Sequence, residues 1–232
     1  MKKKSRIWIN LLSLMIFVLT FTNSCKKDSN SSLTVTDIDS NVYHTVTIGT
    51  QVWMVENLKT TKYNDGTAIP NVTDSTAWSG LSTPAYCWYN NDSITNKTTY
   101  GALYNLYTVN TGKLCPTGWH VPTDAEWTTL TTYLGGESVA GGKLKETGTT
   151  HWLSPNTGAI NESDFTALPG GYRYYSGIFN YVGKYGYWWS STEDESNNSW
   201  AWDRDMVFNY NVVFRDINYK NNGFSVRCLR DN

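Results

Sequence analysis

The stretch Leu114 to Gly136, LCPTGWHVPTDAEWTTLTTYLGG, constrains the chain most, because it carries a loop, a helix start and a helix stop in succession. Thr123 is an N-cap by chemistry: its hydroxyl accepts from an orphan amide of the first turn. Glu126, three residues on, reaches back to the Thr123 amide and completes a capping box. Pro122 biases Val121 towards extended backbone. Trp127, Leu130 and Leu134 recur at i, i+3 and i+7 and form one apolar stripe. Gly135-Gly136 supplies a left-handed stop. Upstream, Cys115 is placed to tie this unit to a distant segment. The only later cysteine is Cys228, in the terminal run GFSVRCLRD.

Around this unit the chain reads mostly as short strands. Alternation predicts strands near Thr34–Asp37, Tyr43–Ile48 and Gln51–Glu56, separated by the turn signals Asp39-Ser40-Asn41 and Gly49-Thr50. Residues 59–99 are rich in turns. They also hold Trp78, Tyr86, Trp88 and Tyr89, which give an irregular segment the packing that a disordered one lacks. Tyr100 to Val109 fits a helix or a strand equally well. A second, weaker helix is expected over Val139–Glu146, where Gly141-Gly142 lowers helix propensity. From Phe165 onward, β-rich runs alternate with glycine and asparagine breaks. No internal repeat and no domain boundary is evident within 33–232, and the order of elements argues an α+β class.

The first residues read as an export signal. Lys2, Lys3, Lys4 and Arg6 precede an apolar run from Ile7 to Phe21, short for a membrane span. Cys25 directly follows, and its setting resembles a lipoprotein processing site, although Thr22 and Ser24 occupy places where such sites usually carry Leu and Gly or Ala. A soluble secreted protein cut elsewhere is the alternative. The expected organisation is a signal peptide over 1–24, a lipid-anchored polar tether over 25–33 and one domain over 34–232. The implied location is the bacterial cell envelope, as an outer-membrane lipoprotein facing the periplasm or the outside.

Charge narrows the partners. The chain holds 19 Lys+Arg and 20 Asp+Glu, and losing 1–24 removes four basic residues and no acidic ones, so 15 remain against 20. No basic stripe is left to neutralise phosphates, which excludes nucleic acid as a partner. With Cys25 lipidated, Cys87, Cys115 and Cys228 remain. One disulfide and one free thiol is the simplest arithmetic for an exported chain. Cys115–Cys228 is the favoured pair, since it closes a long loop and staples the last strand beside the helix. Cys87, among the aromatic residues of AYCWY, reads as a buried small hydrophobe.

The motifs HVPTDAEW, YGALYNLYTVNTGKLCPTGW, FTALPGGYR, GYWWSSTE and GFSVRCLRD stand in an order that resembles the Fibrobacter succinogenes major paralogous domain family, over roughly Val35 to Asp231. More distantly, PTDAEW and GFSVRC are similar to segments of the formylglycine-generating-enzyme group. That resemblance implies a C-type-lectin-like fold: a capped main helix, a second short helix, several short antiparallel strands and long loops. It implies no particular activity, and the copper-holding cysteines of that group have no counterpart here.

Candidate chemistry is sparse. The three histidines, His44, His120 and His151, have no zinc spacing, and His120 reads as a structural hydrogen-bonding group. Glu193, Asp194, Glu195 and Asn197 are the best calcium candidates, with a solvated acidic loop as the plainer reading. No metal or other cofactor is otherwise implied. Ser190-Ser191 lacks a nucleophile elbow. Sugar binding is the sharpest expectation, because Tyr and Trp faces stack on carbohydrate while Asn, Asp and Arg bond its hydroxyls. Tyr172, Arg173, Tyr174, Tyr175, Tyr181, Trp200 and Trp202 are the candidate contacts. An ion pair from Arg227 or Arg230 to Asp124 or Glu126 is expected to close the fold. The resulting expectation is a non-enzymatic surface module that binds a glycan or a protein. The alternatives are an enzyme on a formylglycine-generating-like scaffold, or an adhesin-tip module that recognises envelope proteins.

Overall fold

The computed structural model describes residues 33–231. The expected signal peptide, the Cys25 lipidation site and all of the tether up to Ser32 lie outside those residues. The N-terminal strands are β1 (Thr34–Thr36), β2 (Val42–Ile48) and β3 (Gln51–Met54). They lie where the alternation predicts strands, and they pair antiparallel in sequence order. Next come α1 (Ser75–Ser79), β4 (Tyr86–Cys87), α2 (Ser93–Tyr100), β5 (Leu103–Tyr104) and α3 (Leu106–Val109). The ambiguous run Tyr100–Val109 thus divides into the end of a helix, a strand and a short helix.

The central unit folds as its sequence requires. After β6 (Trp119–His120), α4 spans Asp124–Tyr133, with Thr123 and Glu126 forming the reciprocal capping box. Trp127 and Leu130 are buried on its inner face, and Gly135 and Gly136 follow with φ of 102° and 98°. Helix α5 (Glu137–Leu144) begins at once. Its Gly141-Gly142 pair, a weakness by propensity, is a packing requirement here. A Cβ on Gly141 would collide with the Val212 carbonyl, and one on Gly142 with the Gly158 carbonyl.

The C-terminal half supplies β7 (Tyr172–Arg173), β8 (Phe179–Asn180), β9 (Tyr185–Glu193), β10 (Trp200–Val207), β11 (Val213–Tyr219) and β12 (Leu229–Arg230). One sheet runs β1-β2-β3-β12-β6 and a second runs β11-β10-β9, while β4-β5 and β7-β8 form two small ladders. All of these ladders are antiparallel. The last strand therefore lies between β3 and β6. The segment leading to it, Gly223 to Leu229, is buried at every residue. Its backbone bonds Tyr104, Tyr187, Trp189, Leu58 and Met54, so it joins the two larger sheets. The Cys115–Cys228 disulfide is present, with Cα atoms 6.0 Å apart across a sequence separation of 113.

The expected ion pair is not the one that forms. Arg227 donates instead to Asn57 Oδ1 at 3.0 Å, to Thr166 O at 2.9 Å and to Phe165 O. Asp124 instead receives Arg204 at 2.8 Å and Arg215 at 2.9 Å, both from the three-stranded sheet. Glu126 is held by Thr123 and by His120. The physical reason is strand parity: Arg204 and Arg215 sit directly opposite each other on β10 and β11, on the face that packs against α4. Among the described residues, no helix is long and apolar enough to cross a membrane.

Candidate functional site

The face of the β11-β10-β9 sheet turned away from α4 carries the unusual chemistry. Side chains alternate along a strand, so Tyr185, Tyr187 and Trp189 share this face with Asp203, Asp205 and Val207, and with Phe214 and Asp216. In register, Tyr187 stands opposite Asp205, which stands opposite Phe214. Tyr185, Tyr187, Asp205, Val207, Tyr210, Phe214 and Asp216 line a cleft of about 380 Å³. Tyr210 reaches it from the β10–β11 turn. That turn is held from behind by buried Lys145, which donates to the carbonyls of Val207, Tyr210 and Thr157 at 3.1, 2.6 and 3.0 Å.

Asp205 sets the electrostatics. It is 7 % exposed, and among the described residues its carboxylate accepts no hydrogen bond. Burial, reinforced by the Asp216 charge, pushes its carboxyl up to about 7. Its strand neighbour Asp203 is wholly buried, and burial drives that carboxyl well above the ordinary range. Asn218 donates to Asp203 Oδ2 at 2.6 Å, whereas Asp203 Oδ1 has no partner. An acid in that position is held as the neutral form.

The cleft is the end of a longer feature. Tyr185 stacks on Tyr187 with centroids 5.7 Å apart and packs on Tyr181 at 4.9 Å. Tyr172 lies 4.8 Å from Tyr187 and 6.0 Å from Tyr181. The rings continue through Tyr174, Tyr175, Tyr219 and Trp200, at steps of 6.1, 4.1, 4.6 and 5.9 Å. Tyr172, Tyr174, Tyr175, Tyr181 and Trp200 are thus brought into one ribbon, which is partly exposed along its length.

Two candidates lie elsewhere. Arg173 is fully buried and donates to the carbonyls of Gly177, Val72 and Thr73, so its guanidinium has no donor turned to solvent. Trp202 carries the Arg215 guanidinium 3.5 Å over its ring, on the side of β10 that faces α4. The acidic loop is also internally committed. Glu193 pairs with Lys220 at 2.6 Å, Asp194 accepts from Ser196, and Asn197 accepts from Ser199. Glu195 is exposed in the same turn. No group of three or more His, Cys, Asp or Glu side chains suited to a metal occurs among the described residues.

His120 bridges Asp231 at 2.6 Å and Glu126 at 3.0 Å, and these bonds raise its pKa against the opposing effect of burial. It links the C-terminus to the helix cap. Cys87 is free and buried, and burial pushes its thiol up to about 12, which removes it as a nucleophile.

Together these elements define an α+β protein of antiparallel sheets, with an aromatic ribbon that leads into an acidic cleft. The chain belongs to the Fibrobacter succinogenes major domain family, whose model matches residues 46–230. No curated protein matches the chain, and no solved structure matches it. Tyr210, Phe214 and Asp216 were not among the candidates read from sequence. The alternation Tyr185-x-Tyr187 and Asp203-x-Asp205 was the available signal, since in a strand it places like residues on one face.

Proposed function

We propose that this chain is a non-enzymatic glycan-binding module of the bacterial cell envelope. In this reading it is exported by residues 1–24, anchored by a lipid on Cys25 and carried at the outer membrane. The domain belongs, on the same reading, to the C-type-lectin-like group. Its support is a sheet that unites the first and last strands, two consecutive helices and long loops between short strands. The observation that carries the function is Asp205, a buried and unpartnered carboxylate beneath the rings of a cleft that continues an aromatic ribbon. A sugar chain lying along Tyr175, Tyr174, Tyr172 and Tyr187 would stack on their faces and bring a hydroxyl to Asp205.

The test is a polysaccharide panel run with calcium and with a chelator. Removing one stacking ring in Tyr175→Ala should cost about 1 kcal/mol, roughly fivefold in affinity for long glycans. Absence of binding across the panel, with capture of envelope proteins instead, would replace the glycan reading by a protein-recognition one. One observation favours a second reading. An acid with a pKa near 7 beside another carboxylate is what general-acid cleavage of a glycosidic bond requires. Release of reducing sugar that disappears in Asp205→Asn would make the module an enzyme.

A further inference from the structure

We propose that the cleft recognises an organic ammonium carried by the glycan, as in a 2-amino-2-deoxy sugar with a free amine. This rests on the glycan reading above and specifies its ligand. The lining consists of two carboxylates, four aromatic rings and one valine, with no lysine or arginine among them. Lys145, the cation behind the β10–β11 turn, directs its ammonium at three carbonyls. Asp205 therefore meets no positive charge from the protein. Its neighbours are Asp203 on its own strand, Tyr185 and Tyr187 on β9, and Phe214 and Asp216 on β11.

Asp205 lines the cleft from a mostly buried position, so its anion is poorly solvated and no protein group donates to it. A neutral sugar hydroxyl corrects only the second problem. An ammonium corrects both: it donates to Asp205, offsets the charges of Asp205 and Asp216, and meets the ring faces of Tyr185, Tyr187, Tyr210 and Phe214. A hard metal ion is a poorer match. It asks for six or more oxygens, and the walls here are mostly carbon faces. The volume, about 380 Å³, lies at the small end of ligand sites and suits one sugar unit with its substituent.

The experiment is calorimetric titration of the full chain in mild detergent at pH 7, with glucosamine oligomers and with the same oligomers N-acetylated. The amine form should bind at least tenfold tighter, and Asp205→Asn should abolish that preference. Asp216→Asn, at an exposed position, should reduce it severalfold. Tetramethylammonium, whose charge is fixed, serves as the pH probe by NMR shift of the cleft tyrosines. Its affinity should rise about tenfold between pH 6 and pH 8 as Asp205 ionises. Equal affinity for the two oligomers, with a tetramethylammonium affinity indifferent to pH, would overturn the proposal and leave glycan binding standing. Failure of every glycan to bind would sink both readings. Oligolysine that binds tighter than the amino sugar and depends on Asp205 would move the ammonium from a sugar to a protein, and the proposal would fall.

Discussion

Replacing Asp205 by asparagine should stabilise the fold at alkaline relative to acidic pH. Asp205 is 7 % exposed, and its carboxyl is raised from the ordinary 3.8 to about 7. Between those values the native state holds a proton that the unfolded chain has released. Stability therefore falls as pH rises, fully present below about 4 and lost above about 7. A gap of about three pH units at about 1.4 kcal/mol each corresponds to roughly 4 kcal/mol. The asparagine side chain has no charge to desolvate. It does carry an amide that needs partners, a cost of roughly 1–3 kcal/mol that does not change with pH. The readout is thus the pH dependence of the difference between the two proteins, not its sign at one pH. Urea melts of the wild type and Asp205→Asn at half-unit steps from pH 4 to pH 9 would supply it. The difference should move by about 3–4 kcal/mol in favour of the variant across that range. A constant difference would refute the claim that Asp205 is buried and unpartnered, and the proposed ligand site would lose its centre.

Two further outcomes test the frame that holds the site. The Cys115→Ser/Cys228→Ser variant should lose about 2–4 kcal/mol in non-reducing denaturation, because it frees a loop closed across a separation of 113; an unchanged melting temperature would show that the bond contributes nothing. Asp124→Ala should cost about 3–5 kcal/mol, since it strands the fully buried Arg204 side chain. Asp124 is held below the ordinary carboxylate range by Arg215 and Arg204 against the effect of burial, so its contribution is present at neutral pH and lost as pH falls through that lowered value. Adding Arg204→Met to Asp124→Ala should recover part of the loss, and strict additivity in urea melts would contradict the pairing.

What the sequence announced were features with local causes. The capping box of α4 needs only Thr123 and Glu126, and the strands near the start follow alternation that any one-sided sheet imposes. Helices α1 and α2 were missed even though Asp74 and Asp92 cap them. Each is short, and α2 buries only Asn96, so neither has an apolar stripe to read. Of the candidate contacts, the tyrosines between the shared motifs assembled into a ribbon. Arg173 did not, because nothing local reveals that its guanidinium closes the loops of Val72, Thr73 and Gly177. The cleft lay beyond sequence reading for a similar reason. It depends on the register that sets Tyr187, Asp205 and Phe214 in one row across three strands.

The preference for tryptophan and tyrosine, 11 and 16 against 7 phenylalanines, has a structural origin in the loops. Long connections bury carbonyls that no ladder satisfies, and each needs a donor. Indoles supply several: Trp78 donates to Asn221 O, Trp152 to Ala167 O and Trp189 to Tyr104 O. Buried cations supply more, with Arg173, Arg227 and Lys145 directed at carbonyls. Buried carboxylates follow the same rule, since Asp37 accepts from Tyr43 and Asn41, and Asp194 from Ser196. Against that practice Asp205 stands apart. Among the buried carboxylates of the described residues, it is the one with no hydrogen bond from the protein. A fold gains nothing in stability from a desolvated carboxylate with no protein donor under an aromatic row. Its retention is understandable if the missing partner arrives from outside, which makes the ligand the completing member of the polar network.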